Sequence, residues 1–397
     1  LQSEENSGVI PTFKMMNEML SFLCEIEQNG INIDLDVLKK VGDDYRAEKE
    51  ELNKSLRQIV SDVMGDTPIN LASGPDLCAV VYSRRVIDKA RWKQTFNLGT
   101  DSRGKPLYPP RMKKTQFVQE VRSNTKREMR TQAVHCEDCN GTGYIRKMKK
   151  DGTPFKKPSG CPVCHKDGAV YIENGVVAGL KMIPETVQDT SVHGFKTDKA
   201  TLAKLIDQAE TKGNLPAQVF LKNIARLNAV NTYLDSFVTG ITTYTRKTGL
   251  LHANFNQTIT RTGRLSSSQP NFQNLPSGSK FPVRAAVVSR FENGWIYECD
   301  FSGLEFVCAG ELSKDERIIE DILAGKDVHK QTASIIDQCD EAEVTKESRK
   351  AAKKWTFSPL YGGRGANEKP HIKRYFDEYF NLYAGLGEWH KTLFSTA

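Results

Sequence analysis

The sequence predicts an α+β protein, and three observations carry that expectation. Apolar residues recur at helical spacing over residues 12–64, over 197–238, and from Ser313 almost to the end. Gly249 to Gly310 instead reads as strands and turns, including an apolar strand around Trp295-Ile296-Tyr297. From about 84 to 185 both patterns dissolve into glycine and proline punctuation, and two Cys-x-x-Cys pairs appear there.

Each element follows from local chemistry. Met15, Met16, Leu20, Leu23 and Ile26 supply an apolar helix face, and Asn29-Gly30 gives a stop. Asp36 can cap a second, highly charged helix that runs to about Met64. Pro68 then breaks the chain, and Ser73 can cap a short helix after Asn70-Leu71-Ala72. Thr197 offers a cap for the helical stretch at 197–238.

At 397 residues, with 38% hydrophobic and 26% charged residues, the chain has material for two or three domains. No run of 18 apolar residues occurs, so no membrane span is expected. No secretory leader pattern opens the sequence, which makes a cytosolic or organelle-matrix location the default. The net charge of +7 is unevenly spread. Residues 84–168 carry 21 Lys and Arg against 8 Asp and Glu, so this stretch holds the whole positive excess. That points to a polyanion or an acidic partner, although a solvated lysine-rich loop has the same composition.

Cys136-Glu-Asp-Cys139 and Cys161-Pro-Val-Cys164 stand 21 residues apart. Each pair can hold one edge of a tetrahedral Zn²⁺, and a loop of this length folds as a ribbon between them. His135 and His165 flank the pairs as substitute ligands, but four cysteines suffice. Four protein ligands leave no open position, so the expected zinc is structural. It would replace the missing core of the 84–185 segment. The other five cysteines are scattered singly, and the odd total of nine argues against a disulfide framework.

Toward the C-terminus, Arg349, Lys353, Phe357 and Tyr361 recur every four residues up to Gly362. On an α-helix they form one stripe of two cations followed by two aromatics. Such a face can hold an anion at one end and stack flat rings at the other, which suits a triphosphate joined to a base. An amphipathic surface helix with basic residues on its wet side has the same pattern. Upstream lies Tyr297-Glu298-Cys299-Asp300-Phe301-Ser302-Gly303-Leu304-Glu305. Before it come Asn256-Gln257-Thr258, Thr262-Gly263-Arg264-Leu265-Ser266-Ser267 and Pro270-Asn271-Phe272-Gln273-Asn274-Leu275-Pro276. Gly325-Lys326-Asp327-Val328-His329 stands between Asp300 and the stripe.

In this order and spacing these segments resemble family A DNA polymerases, the bacterial polymerase I and podophage replicative group. Asp300 to Glu305 resembles motif A, with Gly303-Leu304-Glu305 nearest the phage branch. Arg349 to Gly362 resembles motif B, and Asn32-Ile33-Asp34 and Asn70 to Ser73 resemble the start of the thumb. The resemblance covers roughly 10–84 and 190–397. It implies a right-hand polymerase fold (thumb, partial palm, fingers) with a zinc-ribbon-like insertion in the thumb. The corresponding segments are 1–83 for thumb helices, 84–185 for the basic insertion and 186–248 for the rest of the thumb. Palm with motif A falls at 249–314 and fingers with motif B at 315–397.

The resemblance also implies roles. Asp300 would ligate two catalytic Mg²⁺ ions, helped by the Phe301 carbonyl. Arg349 and Lys353 would hold the triphosphate of a dNTP, with Lys353 as proton donor to pyrophosphate. Phe357 would lie beside the incoming sugar and Tyr361 by the templating base. Glu305 resembles the gate against a ribose 2′-hydroxyl, which argues against a single-subunit RNA polymerase relative. Arg264, Gln273, Asn274 and His329 would contact primer–template DNA or the nucleotide. Blander roles exist: Glu305 pairing with a lysine, His329 as a core histidine, Arg264 as a turn-stabilising cation. One departure is plain, since Glu305 is followed by Phe306-Val307 where the family continues Leu-Arg.

The family's second catalytic carboxylate lies in a His-Asp-Glu hairpin beyond the fingers, and no such hairpin follows here. Asp377 is a tempting substitute, but Ile372, Tyr375, Phe376, Tyr379, Phe380 and Tyr383 set a helical period around it, which makes it a surface helix residue. No Asp-x-Glu segment of a 3′–5′ exonuclease precedes the thumb. The expectation is a split or truncated polymerase whose palm is completed elsewhere, by a second polypeptide or another part of a longer product. A processivity or exonuclease subunit is a possible further partner, and the setting is the cytoplasm of a bacterium or a phage-infected cell. The competing reading is a zinc-containing primer–template-binding protein without chemistry.

Overall fold

Gly30, at φ +61, ends the first helix, α1 (Ile10–Asn29), and turns the chain into a short strand, β1 (Ile31–Ile33). In the computed structural model, which describes residues 10–107, 110–245, 249–276, 280–365 and 370–396, the chain divides into two units, Leu1–Ile296 and Tyr297–Ala397. Asp34 caps the next helix, α2 (Leu35–Met64), by accepting from the Asp36 and Val37 amides at 3.0 and 2.9 Å. Asp36, expected as the cap, instead sits in the first turn, because Asp34 lies two residues earlier in an extended conformation that aims its carboxylate at the free amides. The apolar face expected on α1 is present but mostly uncovered. Only Leu23 is buried among its described residues, while Met15 and Phe22 are 54% and 59% exposed.

In the first unit β1 is the central strand of a three-stranded antiparallel sheet, flanked by Leu250–Leu251 and Val287–Val288. Around it Leu38, Val41, Tyr45, Phe237 and Leu251 form one core. The helices α3 (Gly74–Tyr82), α4 (Lys89–Thr95), α5 (Lys114–Asn124), α6 (Lys199–Thr211) and α7 (Leu215–Thr232) build the other. Asp198, not the expected Thr197, caps α6 by accepting from Thr201 N at 2.8 Å. Ser73 occupies the cap position of α3 without a side-chain capping bond. Helices α2 and α7 are tied by a two-point ion pair, Arg226 Nε and Nη2 to Glu48 at 2.7 and 2.8 Å.

The 84–185 segment differs from expectation. Trp92, Phe96 and Phe117 are fully buried, and they pack with Leu56 and Met64 of α2, Val80 of α3, and Leu202 and Phe220 of α6 and α7. Short helices α4 and α5 therefore belong to a sizeable core. Only the excursion from Met129 to Val177 lacks one.

A second difference concerns the strand expected at Trp295-Ile296-Tyr297. Residues 295–300 are irregular, and Trp295 and Tyr297 are 83% and 87% exposed. A strand needs a neighbour to take its backbone hydrogen bonds and a layer to cover its side chains. Among the described residues no strand pairs with this one.

The second unit is helical: α9 (Leu304–Ser313), α10 (Glu316–Leu323), α11 (Val328–Asp337), α12 (Lys346–Thr356), α13 (Pro370–Leu382) and α14 (Ala384–Thr396), following a short α8 (Gly240–Thr245) in the first unit. Phe306 and Ala309 place α9 in the same core as Ile318, Tyr375, Phe376 and Leu386, so the segment expected with residues 249–314 packs with those after 315. Asp377 is exposed on α13, as its helical surroundings predict.

Asp321 holds this unit together from inside. Its side chain is 1% exposed and meets Lys326 Nζ at 2.8 Å, Arg317 Nε at 3.2 Å and the Tyr383 hydroxyl at 2.8 Å. Burial works to raise its pKa, but the hydrogen bonds from Lys326 and Tyr383 and the two positive charges prevail and hold it below the ordinary value. The folded value lies below the unfolded one, so this stabilisation is complete above about pH 4 and is lost as pH falls through the folded pKa. Lys326 and Arg317 are 36% and 43% exposed and can return to water. Asp321→Ala is therefore expected to cost about 1–3 kcal/mol. Thermal unfolding at pH 7 and pH 3 checks this: equal destabilisation at both would show that the carboxylate charge contributes nothing.

Candidate nucleotide site and cysteine cluster

Helix α11 opens on Asp327, whose carboxylate accepts from the amides of His329 and Lys330 at 3.1 Å. The same carboxylate receives Arg349 Nε from α12 at 2.6 Å. Burial acts to raise the Asp327 pKa, but the Arg349 contact and the capping amides hold it below the ordinary range. One residue thus caps one helix and fixes a cation on the next. The sequence-predicted site residues do not include Asp327. Its signal was its place at the helix start, two residues before His329.

His329 and Phe357 stack edge to face, with ring centroids 5.2 Å apart. His329 Nδ1 lies 3.1 Å from the Thr356 hydroxyl. Burial, then the charges of Lys353 and Arg349, hold the His329 pKa below its usual value, with Asp327 opposing. At neutral pH the imidazole is uncharged, and the positive charge of this surface resides on Arg349 and Lys353. Among the sequence-predicted residues, Arg349, Lys353, His329 and Phe357 are therefore brought together.

The stripe does not continue as one helix. α12 ends at Thr356, Phe357 is its C-cap, and Pro359–Tyr361 form a 3₁₀ turn closed by Gly362 at φ +81. Proline lacks the amide that would donate to the carbonyl four residues back, so the ladder stops there. The 3₁₀ bonds Tyr361 N to Ser358 O and Gly362 N to Pro359 O take over. The turn swings Tyr361 to α9, where its hydroxyl donates to Glu305 Oε1 at 3.2 Å. Glu305 is half-buried in the first turn of α9.

Asp300 and Phe301 precede α9 on the irregular segment, both exposed. Asp300 follows the stretch where an apolar strand is expected around Trp295-Ile296-Tyr297, but residues 295–300 form no strand. No group of three or more metal-ligating side chains includes Asp300 among the described residues. Arg264, Gln273 and Asn274 lie in the first unit, all exposed. Arg264 follows the turn of a hairpin, Asn254–Asn256 with Ser266–Ser268, and Gln273 and Asn274 occupy the 3₁₀ turn Phe272–Asn274. The Arg264 carbonyl accepts from the Thr260 hydroxyl, which fastens the loop beside it.

The other cluster crowns the excursion. Met129–His135 and Ala169–Val177 pair antiparallel, delivering Cys136 and Gly168 side by side at their far end. Cys136, Cys139, Cys161 and Cys164 are all buried, with their four sulfurs within 4.8 Å of one another. Cys136 and Cys161 are 3.9 Å apart, Cys139 and Cys164 3.6 Å. A tetrahedron with Zn–S bonds of about 2.3 Å has edges of about 3.8 Å, so the cage fits that ion. The amides of Gly143 and Gly168 each point at a sulfur, those of Cys139 and Cys164, at 3.3 Å. Both glycines have positive φ, and a Cβ on either would strike the facing backbone, at Lys166 O and Gly141 O respectively. Burial, with the neighbouring thiols, pushes the Cys136 thiol up to about 12. A cation among the four sulfurs would reverse that by favouring thiolate.

Three comparisons bear on this geometry. The POL domain of Pol1 from M. smegmatis, solved in complex with DNA primer-template and dNTP, superposes with a TM-score of 0.56. It covers 94% of this chain and 48% of its own, at 21% identity. The fold is thus an α+β polymerase fold. The profile of DNA polymerase family A matches residues 175–397, more than half of the chain, and the protein belongs to that family. DNA polymerase I of Borreliella burgdorferi is 33% identical over 215 residues, 52% of this chain and 22% of the relative. The thermostable DNA polymerase I of Thermus thermophilus is 35% identical over 167 residues, 40% of this chain and 20% of its own length. The chain spans about a fifth of the length of these curated relatives.

Proposed function

We propose that this chain takes part in template-directed DNA synthesis, supplying the nucleotide grip and one catalytic carboxylate of a family A polymerase. The observation that carries the reading is the clustering of Arg349, Lys353, His329 and Phe357 around the Asp327 cap. A cation fixed by Asp327, a second exposed cation, an uncharged imidazole and an aromatic ring form a surface for a triphosphate joined to a sugar and base. Arg349, held by Asp327, binds phosphate oxygens. Lys353 neutralises the triphosphate and donates a proton to the departing pyrophosphate. Phe357 packs beside the sugar and Tyr361 against the templating base. Glu305, positioned by Tyr361, fills the space a 2′-hydroxyl would need, which selects dNTPs.

Asp300, with the Phe301 carbonyl, would hold Mg²⁺. Two such ions, when bound, stabilise the attacking 3′-oxygen and the leaving pyrophosphate. One carboxylate is too small a ligand set for two ions. We therefore place the second carboxylate outside the residues described, on a further segment or a second polypeptide. In this reading 1–83 and 186–248 are the thumb, 249–314 the palm portion, 315–397 the fingers, and 84–185 a thumb insertion with a structural, zinc-ribbon-like Zn²⁺ site. Arg264, Gln273 and Asn274 contact primer–template DNA. The exposed Asp300 favours a second reading, a DNA-binding protein without chemistry.

Nucleotide titration separates the two. With primer–template bound, a non-hydrolysable dNTP is expected to bind wild-type protein and to lose about tenfold or more in affinity on Lys353→Ala. Unchanged affinity in the variant, or DNA binding with no nucleotide binding, would select the second reading.

A further inference from the structure

A solvent-open cavity of about 420 Å³ lies beside the strand pair formed by β2 (Arg84–Val86) and β3 (Thr125–Arg127), well within the first unit. Its volume is within the range of about 300–1,000 Å³ usual for ligand pockets. The floor is apolar, made by Phe117, Val121, Met182 and Pro184. The rim holds Arg84, Arg122, Arg127 and Lys181, and no carboxylate lines it.

The strand register makes this rim unusual. Arg84 stands directly opposite Arg127, and Arg85 opposite Lys126. Like charges across a strand pair destabilise it. Arg85 is relieved by Asp76 and Glu128 at 3.1 and 3.0 Å. Arg84 has only the hydroxyl and carbonyl of Thr125, at 2.6 and 3.1 Å. None of the four rim cations is ion-paired among the described residues. Burial, then the charges of Arg127 and Arg122, pull the Arg84 guanidinium below its usual range. A half-buried cation facing a like charge over an apolar floor is a surface complementary to an anion that also brings an apolar group.

We propose that this cavity binds an acidic peptide segment of a partner protein, a bulky apolar side chain entering the floor and flanking carboxylates meeting Arg84, Arg122 and Arg127. Nucleic acid is disfavoured as the occupant because phosphates would satisfy the rim and leave the apolar floor in water. The inference is independent of the nucleotide site, since every residue in it lies in the first unit.

The test uses a fluorescein-labelled decapeptide of aspartates and glutamates with one central Leu-Phe pair, titrated into the full chain by anisotropy. Saturable binding is expected, with a Kd of about 100 µM or tighter. Replacing Leu-Phe by Ser-Ser, or substituting Arg127→Glu, should each weaken it about tenfold or more. R127E should also raise the melting temperature, because it converts the Arg84–Arg127 repulsion into attraction. That result shows that lost binding is not lost folding. No saturation at millimolar peptide, equal affinity for the Ser-Ser peptide, or unchanged affinity in R127E would each overturn the proposal. A 20-bp duplex weakened by R127E when the peptide does not bind would assign nucleic acid instead.

Discussion

In the proposed zinc-bound form, removing the metal is expected to unfold the excursion from Met129 to Val177 while leaving the rest of the first unit folded. Its only buried cluster consists of the four cysteines with Ile145 packed against them. Val134, Ile172 and Val176 along the two long strands are 41–54% exposed. A two-stranded ribbon of this kind is marginal in water without further support. Zinc contributes about 10–16 kcal/mol in small finger peptides, far more than such a ribbon could supply itself. Metal analysis should find one zinc per chain. After chelation, hydrogen exchange should lose protection at 136–168 but keep it in α2, α3, α6 and α7, whose core is built on Trp92, Phe96 and Phe117. Cys161→Ser should behave like the chelated protein. Persistent protection after demonstrated metal loss would show that the ribbon is held by something else.

Asp300→Ala carries the other large effect. In a complete polymerase containing this chain, single-turnover nucleotide incorporation is expected to fall by about 10³-fold or more, equivalent to about 4 kcal/mol of barrier. Primer–template affinity should stay within about twofold, because a carboxylate adds nothing to phosphate binding. Asp300 is exposed, and among the described residues no side-chain hydrogen bond or ion pair engages it. A folding defect therefore cannot mimic the result. Weakened DNA binding with incorporation preserved would reverse the assignment.

Much of this was legible in the sequence because it depends on local spacing. Two Cys-x-x-Cys pairs set four sulfurs to within 4.8 Å, since each knuckle is closed by its own amides. The order of the segments from Arg264 to Gly362 carried the family, and the period around Asp377 placed it on a helix surface.

What stayed hidden depends on distant partners or on one competing atom. Trp295-Ile296-Tyr297 has strand composition, but composition does not say whether a neighbouring strand is present to pair with it. Trp92, Phe96 and Phe117 are isolated aromatics in a basic, turn-rich stretch with no long apolar run. Their burial depends on helices far away in sequence, such as those carrying Leu202 and Phe220. Pro359 was visible, yet the four-residue repeat through Tyr361 obscured its consequence. The missing amide ends the helix and sends Tyr361 to Glu305.

Whether the chain takes part in DNA synthesis is decided by primer extension. The purified chain is incubated with primer–template, four dNTPs and Mg²⁺, first alone and then with a candidate segment or subunit carrying a further carboxylate. No extension is expected from the chain alone, and template-directed extension on completion should disappear with Asp300→Ala. Intact primer–template binding with no extension in any combination would contradict this, as would extension that survives the loss of Asp300.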